Sequence, residues 1–178
     1  MGDIMKIVTE EQIALNKDTL KNCLDRLHTD TNILDNDDRK RTNNYFEWLH
    51  KKTNIVNNEK TFVCNEILQN LKRGDVVWIE FGFNIGYEFG GRHPAIILRK
   101  TGDSIFVVPV SSQEPYEKKD YHVRVEKIYN FKNMIRWANV LKIQNVSIQR
   151  VDFKASIGNV KGHILNEIND AIKISHIF

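Results

Sequence analysis

Glu88, Arg92, His93 and the pair Ser111/Ser112 are the residues of this chain whose types and spacing suit chemistry. His93 alone among them has an unperturbed pKa suited to moving protons near neutrality. A guanidinium and a hydroxyl are suited to negative charge growing on phosphate oxygens. Together they fit cleavage of an RNA phosphodiester without a metal. A base takes the proton of the ribose 2′-hydroxyl, that oxygen attacks the adjacent phosphate, and an acid supplies a proton to the departing 5′-oxygen. A 2′,3′-cyclic phosphate remains. Each well-placed acid or base contributes typically ~10²–10⁴-fold. Every one of these residues also has an ordinary reading. A histidine before a proline is commonly a turn residue, Arg92 can pair with Glu88 four residues away, and two serines after a strand are normal turn chemistry.

The elements that must position them lie between Gly74 and Gln113. Three apolar runs, VVWIEF, PAIILRK and SIFVVPV, read as successive strands at about 75–82, 94–100 and 104–110. Thr101-Gly102-Asp103 is a tight turn between the second and third. An antiparallel hairpin sets the start of one strand beside the end of the next. Since Gly102 is nearly midway between His93 and Ser112, Arg92/His93 and Ser111/Ser112 are expected at one edge. Further strands are expected at about 121–128 and 139–146, a bend or short helix at 129–136, and a closing helix at about 162–175. Its apolar face is Ile164, Leu165, Ile168, Ala171 and Ile172. Short strands in neighbouring hairpins, closed by one helix, indicate a small β-barrel.

Ahead of this lies a helical segment. Thr9 and Gln12 fit a capping box, and Ile13, Leu20, Leu24 and Leu27 share a face over about 10–28. Polar residues from Thr29 to Asn32 interrupt it. A second helix is expected at about 38–52, burying Tyr45, Phe46, Trp48 and Leu49. A third, capped by Asn57 or Asn58, would repeat Val63, Ile67 and Leu71. With 178 residues, 41% hydrophobic and 28% charged, the chain has an ordinary globular composition. Its +3 charge resides wholly after residue 73, where 14 Lys and Arg face 11 Asp and Glu. That asymmetry points weakly to phosphate or nucleic acid. No apolar run is long enough to span a membrane and no signal peptide opens the chain. Cys23 and Cys64, far apart, read as reduced thiols of a cytoplasmic protein.

Gly74–Phe81 (GDVVWIEF), Gly86–Leu98 (GYEFGGRHPAIIL) and Val108–Gln113 (VPVSSQ), with Val146–Arg150 and Ile157-Gly158 before the last helix, resemble the MazF/PemK (Kid) family of toxin endoribonucleases. The resemblance covers roughly 74–178. It implies an α+β fold: a small SH3-like barrel, shared with the gyrase poison CcdB, with a C-terminal helix and here a helical extension over 1–73. It also implies a homodimer that cuts single-stranded RNA without a cofactor and is inhibited by a cognate antitoxin. By position, Glu88 matches the family's loop acid and Ser112 its hydroxyl after the third strand. The family's arginine stands directly before the proline, where this chain has His93, with Arg92 one place earlier. Around Leu141–Gln144 the family's acid/Gln pair and basic residue are not expected. The catalytic candidates are thus Arg92, His93, Ser112 and Glu88. For RNA binding, Tyr87 and Phe89 can stack on bases, and Ser111, Gln113, Lys118 and Lys119 can meet the backbone. Trp137 reads as core or interface. A second reading is a non-catalytic binding module on the same barrel, for RNA or for a protein such as gyrase.

Overall fold

The computed structural model describes residues 8–29 and 35–176. The chain divides into two compact units, the boundary falling between Leu49 and His50.

The first unit holds α1 (Glu10–Thr29) and the start of α2 (Asn36–Asn57). Thr9 caps α1, its hydroxyl accepting the Gln12 N–H at 3.2 Å. Beyond Thr29, the polar interruption expected up to Asn32 lies outside the described residues. α2 begins two residues earlier than its apolar pattern suggests because Asp35 caps it, one carboxylate oxygen accepting the N–H groups of Asp37 and Asp38 at 2.9 Å. α2 contains no buried residue, so the burial expected for Tyr45, Phe46, Trp48 and Leu49 is at most partial.

In the second unit, α2 continues to Asn57, and Asn58 closes it rather than opening a third helix. The Asn58 backbone and side-chain amides both donate to the Asn54 carbonyl. A single 3₁₀ turn and the one-turn α3 (Glu66–Gln69), capped by Asn65, replace the expected helix. The reason is which residues are buried. Leu68 and Leu71 are in the core, whereas Val63 is 83% exposed and Ile67 53%, so the four-residue repeat does not mark a buried face.

The strands are β1 (Asp75–Gly82), β2 (Gly91–Thr101), β3 (Ser104–Ser111), β4 (His122–Val125), β5 (Arg136–Asn139), β6 (Gln144–Ser147) and β7 (Gly158–Asn159); α4 (Gly162–Ile174) closes the chain. They form one curled antiparallel sheet in the order β4-β5-β3-β2-β1-β7, with β6 also on β3. β3 is the hinge of the curl. It pairs with β6 as far as Val107↔Gln144 and with β5 from Val110↔Ala138. Pro109, which has no N–H to donate, falls at that handover.

Alternation along the strands gives the sheet two apolar faces. Val76, Ile96, Val108 and Val110 pack with Ile164, Ile168 and Ala171 of α4. Val77, Ile79, Phe81, Ala95, Ile97, Ile105 and Val107 form the second cluster, with Leu68 and Leu71. Gly158 is needed where β7 meets Tyr129, since a Cβ there would stand 2.5 Å from the Tyr129 carbonyl oxygen. The one strand expected over 139–146 is two strands separated by a 3₁₀ turn, Val140–Lys142, which the Asn139 side chain caps.

Candidate nucleic-acid interface

β2 starts at Gly91, opposite Gly82, three residues ahead of Pro94. Arg92 and His93 are therefore strand residues, opposite Glu80 and Ile79, and alternation sends them to opposite faces. The expected meeting of Arg92 with His93 and the serines does not occur. Arg92 instead reaches Asp152, with Nη2 at 2.7 Å and Nε at 3.2 Å from Oδ2. Glu80 is 3.8 Å from its Nε, and the guanidinium lies 4.3 Å from the centroid of Trp78. Trp78 in turn stacks on Phe131. Glu88 is not its partner. That exposed carboxylate accepts the Ile85 N–H at 3.1 Å and shapes the loop between β1 and β2.

The hydrogen bond from Arg92 holds the Asp152 carboxyl below the usual carboxylate range, against the opposing effect of burial. The sign follows directly. A depressed folded-state pKa contributes stability that is present above about pH 4, the unfolded value, and is lost as pH falls through the lower folded value. Arg92→Ala is expected to cost about 1–2 kcal/mol from the lost ion pair and cation–π contact. It should also flatten the acid limb of stability, which urea unfolding at a series of pH values measures.

His93 occupies the other face. Its ring packs 4.8 Å from that of Phe89, which meets the buried Phe81 edge-on at 5.2 Å. Burial lowers the His93 pKa, favouring neutral imidazole. Two residues beyond the Ala95↔Pro109 pair along each strand stand His93 and Ser111, so alternation gives both to the same face. Ser111 lines a cleft of about 240 Å³ whose wall also includes Phe89, Gln113, His122, Asn139 and Lys142. His93 is not among the described lining residues and meets this wall through the Phe89 ring. Ser111 accepts the Gln113 N–H at 3.0 Å. Burial also lowers the His122 pKa; its Nδ1 accepts the Lys119 backbone N–H.

Ser112 faces a different, open depression of about 440 Å³ with Lys118, Arg124 and Trp137. Lys118 pairs with Glu114 at 2.8 Å and lies over the Trp137 ring, while Lys119 pairs with Glu117. Tyr87 is 98% exposed at the loop tip; Phe89 is half-buried beneath it. Trp137, read as core or interface, lines both hollows.

Three side chains hold carbonyls of the loop that carries Tyr87 and Phe89. Lys142 donates to the Tyr87 carbonyl at 2.6 Å, and Gln144 and Asn84 donate to that of Phe89. Gly90 permits this closeness, because a Cβ there would lie 2.6 Å from the Gly82 carbonyl oxygen. Nothing in the spacing singled out His122, Asn139, Lys142 or Gln144. Lys142 also corrects the expectation that the 141–144 segment lacks a basic residue. The available signal was Asn139, a capping residue inside an apolar run. Among the described residues, no three of His, Cys, Asp and Glu gather to hold a metal ion, and no helix is long and apolar enough to cross a membrane.

A family model for the PemK-like, MazF-like toxin of type II toxin–antitoxin systems matches residues 72–176. No curated protein matches the chain. Similar solved structures include MazF (Form-I) from Deinococcus radiodurans, 16% identical, covering 60% of this chain and 97% of that one at a TM-score of 0.48. An endoribonuclease in complex with its cognate antitoxin from Mycobacterial species is also 16% identical, covering 61% and 97% at 0.44. Toxin MazF-mt6 of Mycobacterium tuberculosis is 13% identical, covering 58% and 96% at 0.44.

Proposed function

We propose that this chain, which belongs to the PemK-like, MazF-like toxin family, is an endoribonuclease that cuts single-stranded RNA in the cleft beside His93. The observation that carries this reading is the shared sheet face of His93 and Ser111, where Ser111 and the Phe89 ring that His93 packs against both line an open cleft of aromatic and amide side chains. Neutral His93 takes the proton of a ribose 2′-hydroxyl, and that oxygen attacks the neighbouring phosphate. Ser111 donates to the phosphate oxygen on which charge grows. The departing 5′-oxygen takes a proton from water at the open side, leaving a 2′,3′-cyclic phosphate and a 5′-hydroxyl. Phe89, Tyr87 and Trp137 offer ring faces to unpaired bases. Gln113, Lys118 and Lys119 flank the path of the backbone. Glu88 acts through the loop's shape, and Arg92 holds the far face of the sheet.

The protein would act as a homodimer, with residues 1–73 as a helical extension to a catalytic domain over 74–178. Its inhibitor would be a cognate antitoxin, as in the Mycobacterial complex. The alternative, a non-catalytic binder of RNA or of a protein such as gyrase, draws on one observation. Among the described residues, no arginine lines the cleft. Incubation with a long single-stranded RNA in EDTA, followed by mapping of the ends, separates the two. Discrete cuts with cyclic-phosphate and 5′-hydroxyl ends are expected; retention of intact RNA favours the binder, and cleavage only when a divalent ion is supplied contradicts the metal-free step.

Ser111→Ala is expected to lower kcat by about 10²-fold, the usual cost of one donor to a developing anion. Ser112→Ala, facing the other hollow, should stay near the parent rate. The reverse ranking would assign the phosphate to the Ser112 side.

A further inference from the structure

Among the described residues lining the cleft, two carry a formal charge at neutral pH, Glu114 and Lys142. Glu114 is engaged by Lys118 at 2.8 Å. Among the described residues Lys142 has no carboxylate partner; its ammonium makes one hydrogen bond there, to the Tyr87 carbonyl. An ammonium has three N–H donors. Two therefore remain for a ligand, and the charge remains unneutralised. The stem is fixed from behind. Lys142 ends the 3₁₀ turn whose first residue, Val140, is fully buried and donates its N–H to Tyr121. Asn139 caps the same turn, its Oδ1 accepting the Leu141 N–H at 2.9 Å. A half-buried cation is thus aimed at the wall that also carries Ser111.

We infer that Lys142 forms a phosphodiester-binding subsite, supplying in this cleft the positive charge that Arg92, on the far face, does not bring. The inference rests on the RNA-cleaving reading and names the group that meets the phosphate. Because the same ammonium holds the Tyr87 carbonyl, a phosphate seated there is bridged to the 83–90 loop. Backbone engagement and the posture of Tyr87 and Phe89 are then coupled through one side chain. A lysine serving only as a loop strap would donate to Tyr87 and do nothing to the salt dependence of binding.

Binding to mixed-sequence single-stranded DNA, which has no 2′-hydroxyl to react, is measured over a range of KCl with the full chain. Each phosphate neutralised on a single strand contributes a slope of about −0.7 in log K against log salt. Lys142→Gln is expected to flatten the slope by about that amount, and Lys142→Arg to retain it. Amide exchange over 83–90 reports the strap separately. An unchanged slope in Lys142→Gln, with or without faster exchange in the loop, overturns the inference, as does a parent that binds no single strand. Cleavage of RNA is assayed independently. A flattened slope in a protein that cuts no RNA supports the phosphate subsite and sinks the nuclease reading, whereas cutting with an unchanged slope does the opposite.

Discussion

His93→Ala is expected to abolish most RNA cleavage, a loss of about 10²–10⁴-fold in kcat, while single-strand binding persists. His93 is the imidazole that shares its sheet face with Ser111, and its ring packs against Phe89, which lines the cleft. Burial shifts its pKa down, so the neutral form persists to lower pH than for a free histidine. The acid limb of the pH–rate profile should accordingly fall below about pH 6.5, the unperturbed value. Stability follows the same group with its own sign. Above about pH 6.5 imidazole is neutral in both states and burial carries no charge penalty. As pH falls below that value the unfolded chain binds the proton first, and stability declines until the lower folded pKa is passed. A His93→Gln variant should lose both the rate and this acid-linked decline. If His93→Ala cuts as fast as the parent, proton transfer belongs to another group and the proposed step is wrong.

The strands were legible because their apolar runs are unbroken and their turn chemistry is strong. Thr101↔Ser104 closes the hairpin around Gly102, whose φ of +56° suits glycine. The serines and the His-Pro start of the second run could be set at one edge from that turn alone. Which side chain faced the cleft could not be read from it. The apolar run starts at Pro94, but β1 extends its pairing to Gly91 and carries Arg92 and His93 into the ladder. Alternation, harmless in a loop, then separates the two. The break in 139–146 was hidden because no glycine or proline marks it. The one mark of it is Asn139, whose side chain caps the 3₁₀ turn. Lys142 was missed with it, since in a continuous strand it is one more solvated cation. The third helix failed for a different reason. Val63 and Ile67 have helical spacing yet are exposed, and periodicity reports a buried face only when tertiary packing uses it.

Phe81→Ala is expected to destabilise the protein by about 3–5 kcal/mol, a large part of a typical folding free energy of about 5–15. Phe81 is the largest of the fully buried side chains, 1% exposed, in the cluster formed with Ile79, Ala95, Ile97 and Val107. It does more than fill volume. Its ring meets Phe89 edge-on, and Phe89 packs against His93, so a chain of three rings runs from the core to the His93 imidazole. Phe81→Leu separates packing from orientation. It retains most of the apolar contact but loses the edge-to-face term of about 0.5–1.5 kcal/mol, so it should remain folded at 25 °C. Ile105→Val provides the matched control, a buried residue of the same cluster whose shortening costs about 0.5–1.5 kcal/mol. At equal measured stability, Phe81→Leu should cut RNA more slowly than Ile105→Val, with the loss in kcat rather than in binding. Equal kcat in the two variants would show that Phe89 and the backbone of β2 hold His93 without help from the core, reducing Phe81 to a packing residue.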